Sequence, residues 1–563
     1  MLTSQPGKAV LRSAITLLTV AFLAFTAACT SAVTPAYPEV FYVSPGGAGT
    51  NGLSWATAWR DTSRIDWSVI SPGSQIILDG GTSTCSESPY DFRPSSPDPG
   101  VTCGQHYHPF SIGQNDIIIE RSTAAGRDGT VVIDGGRDTP LPYCGQASYS
   151  AATGAPAGID LNGHSGVEIN GMGRSGIVVR GAQNGVLMGG GGHDILRNME
   201  IFDNGFAISN SWGYSSDGNG VLMGGADNIY DRLLVHDNGQ DEFHSDSNGY
   251  NESGSALSNS WLGAIRANPN YPSEPFNDLQ SSGDDPGCTH ADGMQIFAPG
   301  ATMSGLIFNY DVFGPGVNQD LYPSDGDTGT TFYDVTIDNS LFLPAAGADI
   351  NTDNRVQGWN LSHDTILATR GAFEIPANGR NTMTDVIKYG GFVYAAGGSW
   401  TTSGNVWYGG DPLPGTSAHF NPGFVSVPAG TPSPVNLRTA NLTPSGTTSG
   451  SPLHSWLALL ARIDSLNSLH LCVGVAGRPR ARPPARSRSW CPDRHASPGV
   501  ARTGRGGSHH GPFGFNQGGP QAPTYGTASR ISTVLARPFG SEYVAFSPTF
   551  LPMMAAPRGD LGE

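Results

Sequence analysis

The residues of this 563-residue chain best suited to chemistry on a large substrate are Glu242, His244, Asp320, Tyr322 and Asp349. Histidine, tyrosine and carboxyl side chains are the groups that move protons in general acid–base catalysis. A second set is rich in hydrogen-bonding groups and is expected to bind substrate: Asp241, His290, Asp292, Gln295, Asn351 and Glu374.

Two reactions suit these groups. In β-elimination on a uronic-acid polymer, a base takes the proton α to the carboxylate while the developing charge is stabilised. His244 or Tyr322 would be the base. In glycoside hydrolysis two carboxyl groups share the work. Asp320 and Asp349 on adjacent coils, about 5 Å apart, would suit a retaining pair, and Glu242 with Asp320, ~10 Å apart, an inverting one.

Only a repeating backbone can gather residues so far apart in the chain. Asn184-Gly185-Val186-Leu187-Met188-Gly189-Gly190 recurs as Asn219-Gly220-Val221-Leu222-Met223-Gly224-Gly225, an offset of 35 residues. Ile201-Phe202-Asp203-Asn204-Gly205 recurs as Val235-His236-Asp237-Asn238-Gly239, an offset of 34. A unit this short cannot bury its apolar residues alone, but stacked units bury a continuous column. Asn and Gly suit the left-handed corners between strands.

The short strands align on one inward residue: Val221, Phe243, Met294, Leu321, Ile350 and Phe373. Strand alternation then predicts outward side chains on both sides of it. The preceding column reads Gly220, Glu242, Gly293, Asp320, Asp349, Ala372. The following column reads Leu222, His244, Gln295, Tyr322, Asn351, Glu374. Asp241, His290 and Asp292 fall at the adjoining corner. An insertion over 247–289, with its own strand near 256–262, is expected to wall the stripe.

Composition agrees with many tight turns: 78 glycines, 42 prolines and 14% charged residues. Residues 1–461 carry 18 basic and 42 acidic side chains, net −24, whereas 462–563 are net +7. The acidic body argues against nucleic acid as a partner, since phosphates need cationic surfaces. Neither Gly-x-x-x-x-Gly-Lys nor His-Glu-x-x-His occurs. Lys8, Arg12 and the apolar run to Phe25 read as an export signal over 1–28, and Thr26-Ala27-Ala28-Cys29 resembles a lipobox that would lipidate Cys29. That lipid would be the membrane attachment of an extracellular or cell-surface monomer. Cys85, Cys103, Cys144 and Cys288 suit an oxidising compartment, with the pairing open. Residues 462–563, rich in Arg, Gly, Ser and Pro, lack strand or helix period and read as a disordered tail.

Phe41-Tyr42-Val43-Ser44-Pro45-Gly46-Gly47, Ser54-Trp55-Ala56-Thr57-Ala58-Trp59 and Ser71-Pro72-Gly73-Ser74-Gln75-Ile76-Ile77-Leu78 resemble the opening of secreted proteins of the pectate-lyase-like superfamily. The resemblance implies an all-β, right-handed parallel β-helix over 37–455 and a polysaccharide partner. Many superfamily lyases use Lys or Arg as base with Ca²⁺. Lys388 is the one lysine after the leader and lies off the stripe, so on that reading His244 or Tyr322 replaces it while Glu242, Asp320 and Asp349 hold Ca²⁺. His244-Ser245-Asp246-Ser247-Asn248 is also similar to the His-Asp-Asp-Ser-Asn core of alginate C5-epimerases. The expected activity is a lyase, then a hydrolase. The alternative is a non-catalytic glycan-binding or adhesin-like scaffold, because fold does not decide function.

Overall fold

The computed structural model describes residues 39–85, 103–136, 155–210, 213–238, 240–245, 251–263, 267–268, 271–275, 292–296, 300–315, 319–323, 330–345, 347–351, 356–374, 379–394, 399–415, 417–425 and 441–473. The chain divides into two units, Met1–Ala481 and Arg482–Glu563, and every described residue belongs to the first. The expected leader, Cys29, Cys144, Cys288 and the tail beyond Val473 lie outside the described residues.

One coil shows the plan. Ile229–Asp231, Leu234–His236 and Phe243–Ser245 follow one another along the chain. Each pairs in parallel with its counterpart one coil on: Ile229 with Ala256, Leu234 with Trp261, Phe243 with Met294. Repetition stacks the strands into three faces ~4.8 Å per coil. The first face is a 13-stranded sheet running from Val40–Val43 to Ser399–Ser403. The second and third join in a 20-stranded sheet, because Thr365–Glu374 and Ile387–Tyr394 each run through both. The molecule is a parallel β-helix, with the right-handed crossover that twisted strands favour.

Local chemistry makes the corners. Between first and second faces each coil turns on one left-handed residue: Asn198, Arg232, Asn259, Tyr310, Asn339, His363 and Asp385 have φ between 53° and 60°. Asn and Asp are favoured there because a short polar side chain tolerates that conformation. Side chains also satisfy the backbone N–H groups of neighbouring coils. Ser260 N–H donates to Asp311 Oδ1 (2.9 Å), Asp311 N–H to Ser340 Oγ (3.2 Å), and Ser340 N–H to Asp364 Oδ1 (2.8 Å). A buried corner thus leaves few orphaned donors.

The core fills the triangle between the faces. On the second face the inward row is Ile133, Val179, Ile201, Val235, Leu262, Phe313, Phe342 and Ile366, all fully buried. Phe313 and Phe342 stack at 4.9 Å. Each such side chain contributes about 1.5–3 kcal/mol by leaving water.

Two expectations need correction, and one open pairing is settled in part. Ala256–Ser258 and Trp261–Gly263 are not insertion strands but the first- and second-face strands of a regular coil. The true insertion runs from residue 264 to 291 and includes the hairpin Ala267–Asn268 with Tyr271–Pro275. Next, the expected tail does not begin at 462, because Trp456–Val473 is a helix. Its Leu459, Leu460 and Ile463 are buried with Leu234, Trp261, Val312 and Leu341, the outward residues of the second face. Arg462 Nε donates to Asn259 Oδ1 at 2.6 Å, and its guanidinium lies 3.5 Å from the Tyr310 ring centroid. The helix was missed because its apolar residues follow a Ser/Pro-rich closing segment and precede an arginine-rich run. Lastly, the cysteine pairing left open is resolved in part: Cys85 bonds to Cys103.

Candidate active site

The predicted register holds on the third face. Val221 pairs with Phe243, Phe243 with Met294, Met294 with Leu321, Leu321 with Ile350, and Ile350 with Phe373, and all are buried. The residues after them form one outward row: Leu222, His244, Gln295, Tyr322 and Asn351, each partly exposed. Glu374 continues the row by its backbone pairing with Asn351, but its side chain lies outside the described residues. His290 is also outside them. The second face is covered by the chain's own C-terminal helix. The titratable row therefore sits on a face which that helix leaves open.

His244 is the aimed residue of the row. Its side chain is 13% exposed, and Nδ1 donates to Asp241 Oδ2 at 2.6 Å. That hydrogen bond sets the tautomer and directs Nε2 away from Asp241. Asp241 is held in turn by a corner ladder. Its Oδ1 accepts from Asp292 N–H (2.7 Å), and its own N–H donates to Asn219 Oδ1 (3.2 Å). The ladder continues from Asn219 N–H to Asn184 Oδ1 (3.0 Å) and from Gln319 N–H to Asp292 Oδ1 (3.0 Å). Asp241 and Asp292, expected to meet substrate, are both 0% exposed. They position backbone and imidazole instead.

The preceding column does not face outward. Glu242, Asp320 and Asp349 are 0%, 0% and 1% exposed. Strand alternation fails there because the chain turns at that residue, so it and its successor both point inside. The glycines at the same position show the direction. A Cβ on Gly220 would lie 2.5 Å from Val235 Cγ1, and one on Gly185 2.4 Å from Ile201 Cγ2, both inward residues of the second face.

Burial raises all three acids. Glu242 Oε2 accepts from Asn238 Nδ2 at 2.5 Å, Oε1 has no partner, and burial holds its pKa well above the usual carboxyl range. Neither oxygen of Asp320 has a partner, and burial, then Asp349 and Asp292, pushes it up. Asp349 is raised by burial although its Oδ1 accepts from Ala345 N–H at 3.2 Å and Lys388 pulls the other way. Carboxyls in these settings hold protons inside the solenoid.

These residues do not fit the Ca²⁺ site expected of them. Ca²⁺ takes six to eight oxygen ligands, and among the described residues no group of three or more His, Cys, Asp or Glu side chains is arranged around a common point. Lys388 is likewise interior. It follows Ile366 in the inward row, and Nζ donates to the carbonyls of Gly391 (2.8 Å) and Gly409 (3.0 Å). Burial lowers its pKa to about 8.

One cluster escaped sequence reasoning. His236 Nδ1 lies 2.7 Å from Asp237 Oδ2 and Nε2 3.1 Å from Glu200 Oε1, all three buried. The signal was present, since His236 replaces Phe202 between otherwise matching repeats.

No family model and no curated protein matches this chain. Solved structures that resemble it include pectate lyase Pel9A, at 13% identity and TM-score 0.34, covering 76% of this chain and 93% of that one. A rhamnogalacturonan lyase is 12% identical, TM-score 0.31, covering 66% and 74%. The catalytic domain of a GH87 alpha-1,3-glucanase is 12% identical, TM-score 0.29, covering 66% and 70%. The three parallel faces establish the fold by themselves. The fold is a right-handed parallel β-helix.

Proposed function

We propose that the chain acts on a uronic-acid-containing polysaccharide lying along the third face, with His244 as general base of a β-elimination. The observation that carries this reading is a partly exposed imidazole aimed by a fully buried carboxyl at 2.6 Å. His244 Nε2 takes the proton at C5. The electron pair left behind forms the C4–C5 double bond, the C4–oxygen bond breaks, and the leaving oxygen takes a proton from solvent or from Tyr322. Gln295 and Asn351, on the same row, supply amide N–H groups for the substrate carboxylate. Glu242, Asp320 and Asp349 take no part. Their burial favours elimination over two-carboxylate hydrolysis. A location outside the cytoplasm accords with the Cys85–Cys103 bond.

The test is a panel of such glycans, with and without EDTA, followed by the ultraviolet absorbance of unsaturated products. His244→Ala should lower the rate about 10²–10⁴-fold with an unchanged circular dichroism spectrum. Undiminished turnover in that variant would overturn the assignment. New reducing ends without absorbance would mean hydrolysis, and binding without products a scaffold.

A further inference from the structure

Two successive coils share one sequence plan, and the second departs from the first at four chemically telling places. Phe202 stands opposite His236, and Leu222 opposite His244. At the corner, Asn219 and Gly220 give way to Asp241 and Glu242, which directly precede the paired residues Val221 and Phe243. Every replacement is titratable. Two of them form the His244–Asp241 pair, and the other two, His236 and Glu242, are joined by Asn238. Its Nδ2 donates to His236 O (3.2 Å) and to Glu242 Oε2 (2.5 Å).

His236 lies between two rings, Phe202 at 5.2 Å and Trp261 at 5.1 Å. Each ring nitrogen meets a carboxyl oxygen, Asp237 Oδ2 at 2.7 Å and Glu200 Oε1 at 3.1 Å. Burial alone would lower its pKa, but the bonds to Asp237 and Glu200 outweigh it and raise it to about 9. Two buried carboxyls, Glu200 and Asp237, thus flank one imidazolium.

We infer that His236 is a positioning residue for the candidate site. Its charge holds together the acid-rich turn 236–243, and that turn delivers Asp241 and His244 to the third face. Without a cation, Glu200 and Asp237 are left as buried charges with no counter-ion. The turn then shifts, and a displacement of about 1 Å is enough to spoil a hydrogen-bonded base. The inference rests on the proposed role of His244, but its first readout does not need activity.

The experiment uses the full chain and begins with a variant that restores the preceding coil's residue at His236. In His236→Phe the new ring keeps the stack, and the unfolding midpoint falls at neutral pH because Glu200 and Asp237 lose their cation. The His244 imidazole signals, followed by NMR through a pH titration, should move. On any glycan turned over, kcat should fall about tenfold at unchanged KM. Adding Asp237→Asn removes a stranded carboxylate and should return the His244 signals toward wild type. If His236→Phe does not fold, His236→Gln replaces it with the same expected shift. His244 signals indifferent to these changes, or no recovery in the double variant, would overturn the inference. Absence of activity in wild type would overturn the proposed reaction alone.

Discussion

Asp320→Ala should stabilise the solenoid, and by more as pH rises. The carboxyl is fully buried, neither oxygen has a partner, and it precedes the pairing of Leu321 with Ile350 that brings Asp349 alongside. Burial, then Asp349 and Asp292, holds its pKa well above 3.8. A raised folded pKa means that the native state keeps a proton the unfolded chain has released. The wild type is therefore most stable, as far as this group goes, below about pH 4 and loses stability as pH rises toward the folded pKa. One proton gives a slope of about 1.4 kcal/mol per pH unit. As pH rises above about 4 the wild type should therefore lose stability that the variant keeps. Removing an unsatisfied buried group adds about 1–3 kcal/mol, against about 1 kcal/mol for the small cavity. Urea unfolding, read by tryptophan fluorescence at several pH values, gives the difference directly. A gap between variant and wild type that does not change with pH, or a variant less stable throughout, would refute the reasoning.

Two more expectations follow from groups outside the candidate site. His236 is raised from 6.5 to about 9, so its contribution is complete below about pH 6.5 and disappears as pH climbs through about 9. Thermal unfolding of the wild type should show that alkaline loss, on the order of 3 kcal/mol, and His236→Phe should lack it. Ending the chain after Ser455 removes Leu459, Leu460 and Ile463 from the second face. That forfeits about 5–9 kcal/mol of apolar burial and should give aggregates in size-exclusion chromatography, whereas ending it after Ala481 should not.

Much of the architecture was legible because a solenoid repeats its reasoning. The recurring Asn-Gly-Val-Leu-Met-Gly-Gly segment and the Asp-Asn-Gly corners set the period. Once one inward residue was placed, parallel pairing carried the register from Val221 to Phe373. His244, Gln295, Tyr322 and Asn351 came out on the face predicted for them. The boundary of the closing helix did not, since its burial depends on Leu234, Trp261, Val312 and Leu341, up to 229 positions away in the chain.

The errors cluster at one position, the residue just before each third-face strand, and this has a physical cause. Alternation is a property of extended backbone, and a corner interrupts it, so Glu242, Asp320 and Asp349 turned inward where alternation sent them outward. Most coils place glycine or alanine there, because Val235 or Ile201 already occupies the space. An acid in such a slot loses hydration, and at Asp320 it gains no partner in return. Local preference and packing disagree at these sites, and conflicts of that kind collect where function or regulation is served. The coil 229–245 concentrates them: a buried imidazolium, a buried glutamate and an aimed histidine within nine residues of sequence. Neighbouring coils supply the ladder that keeps this coil in register, which is how a repetitive scaffold can tolerate one turn so unlike the rest.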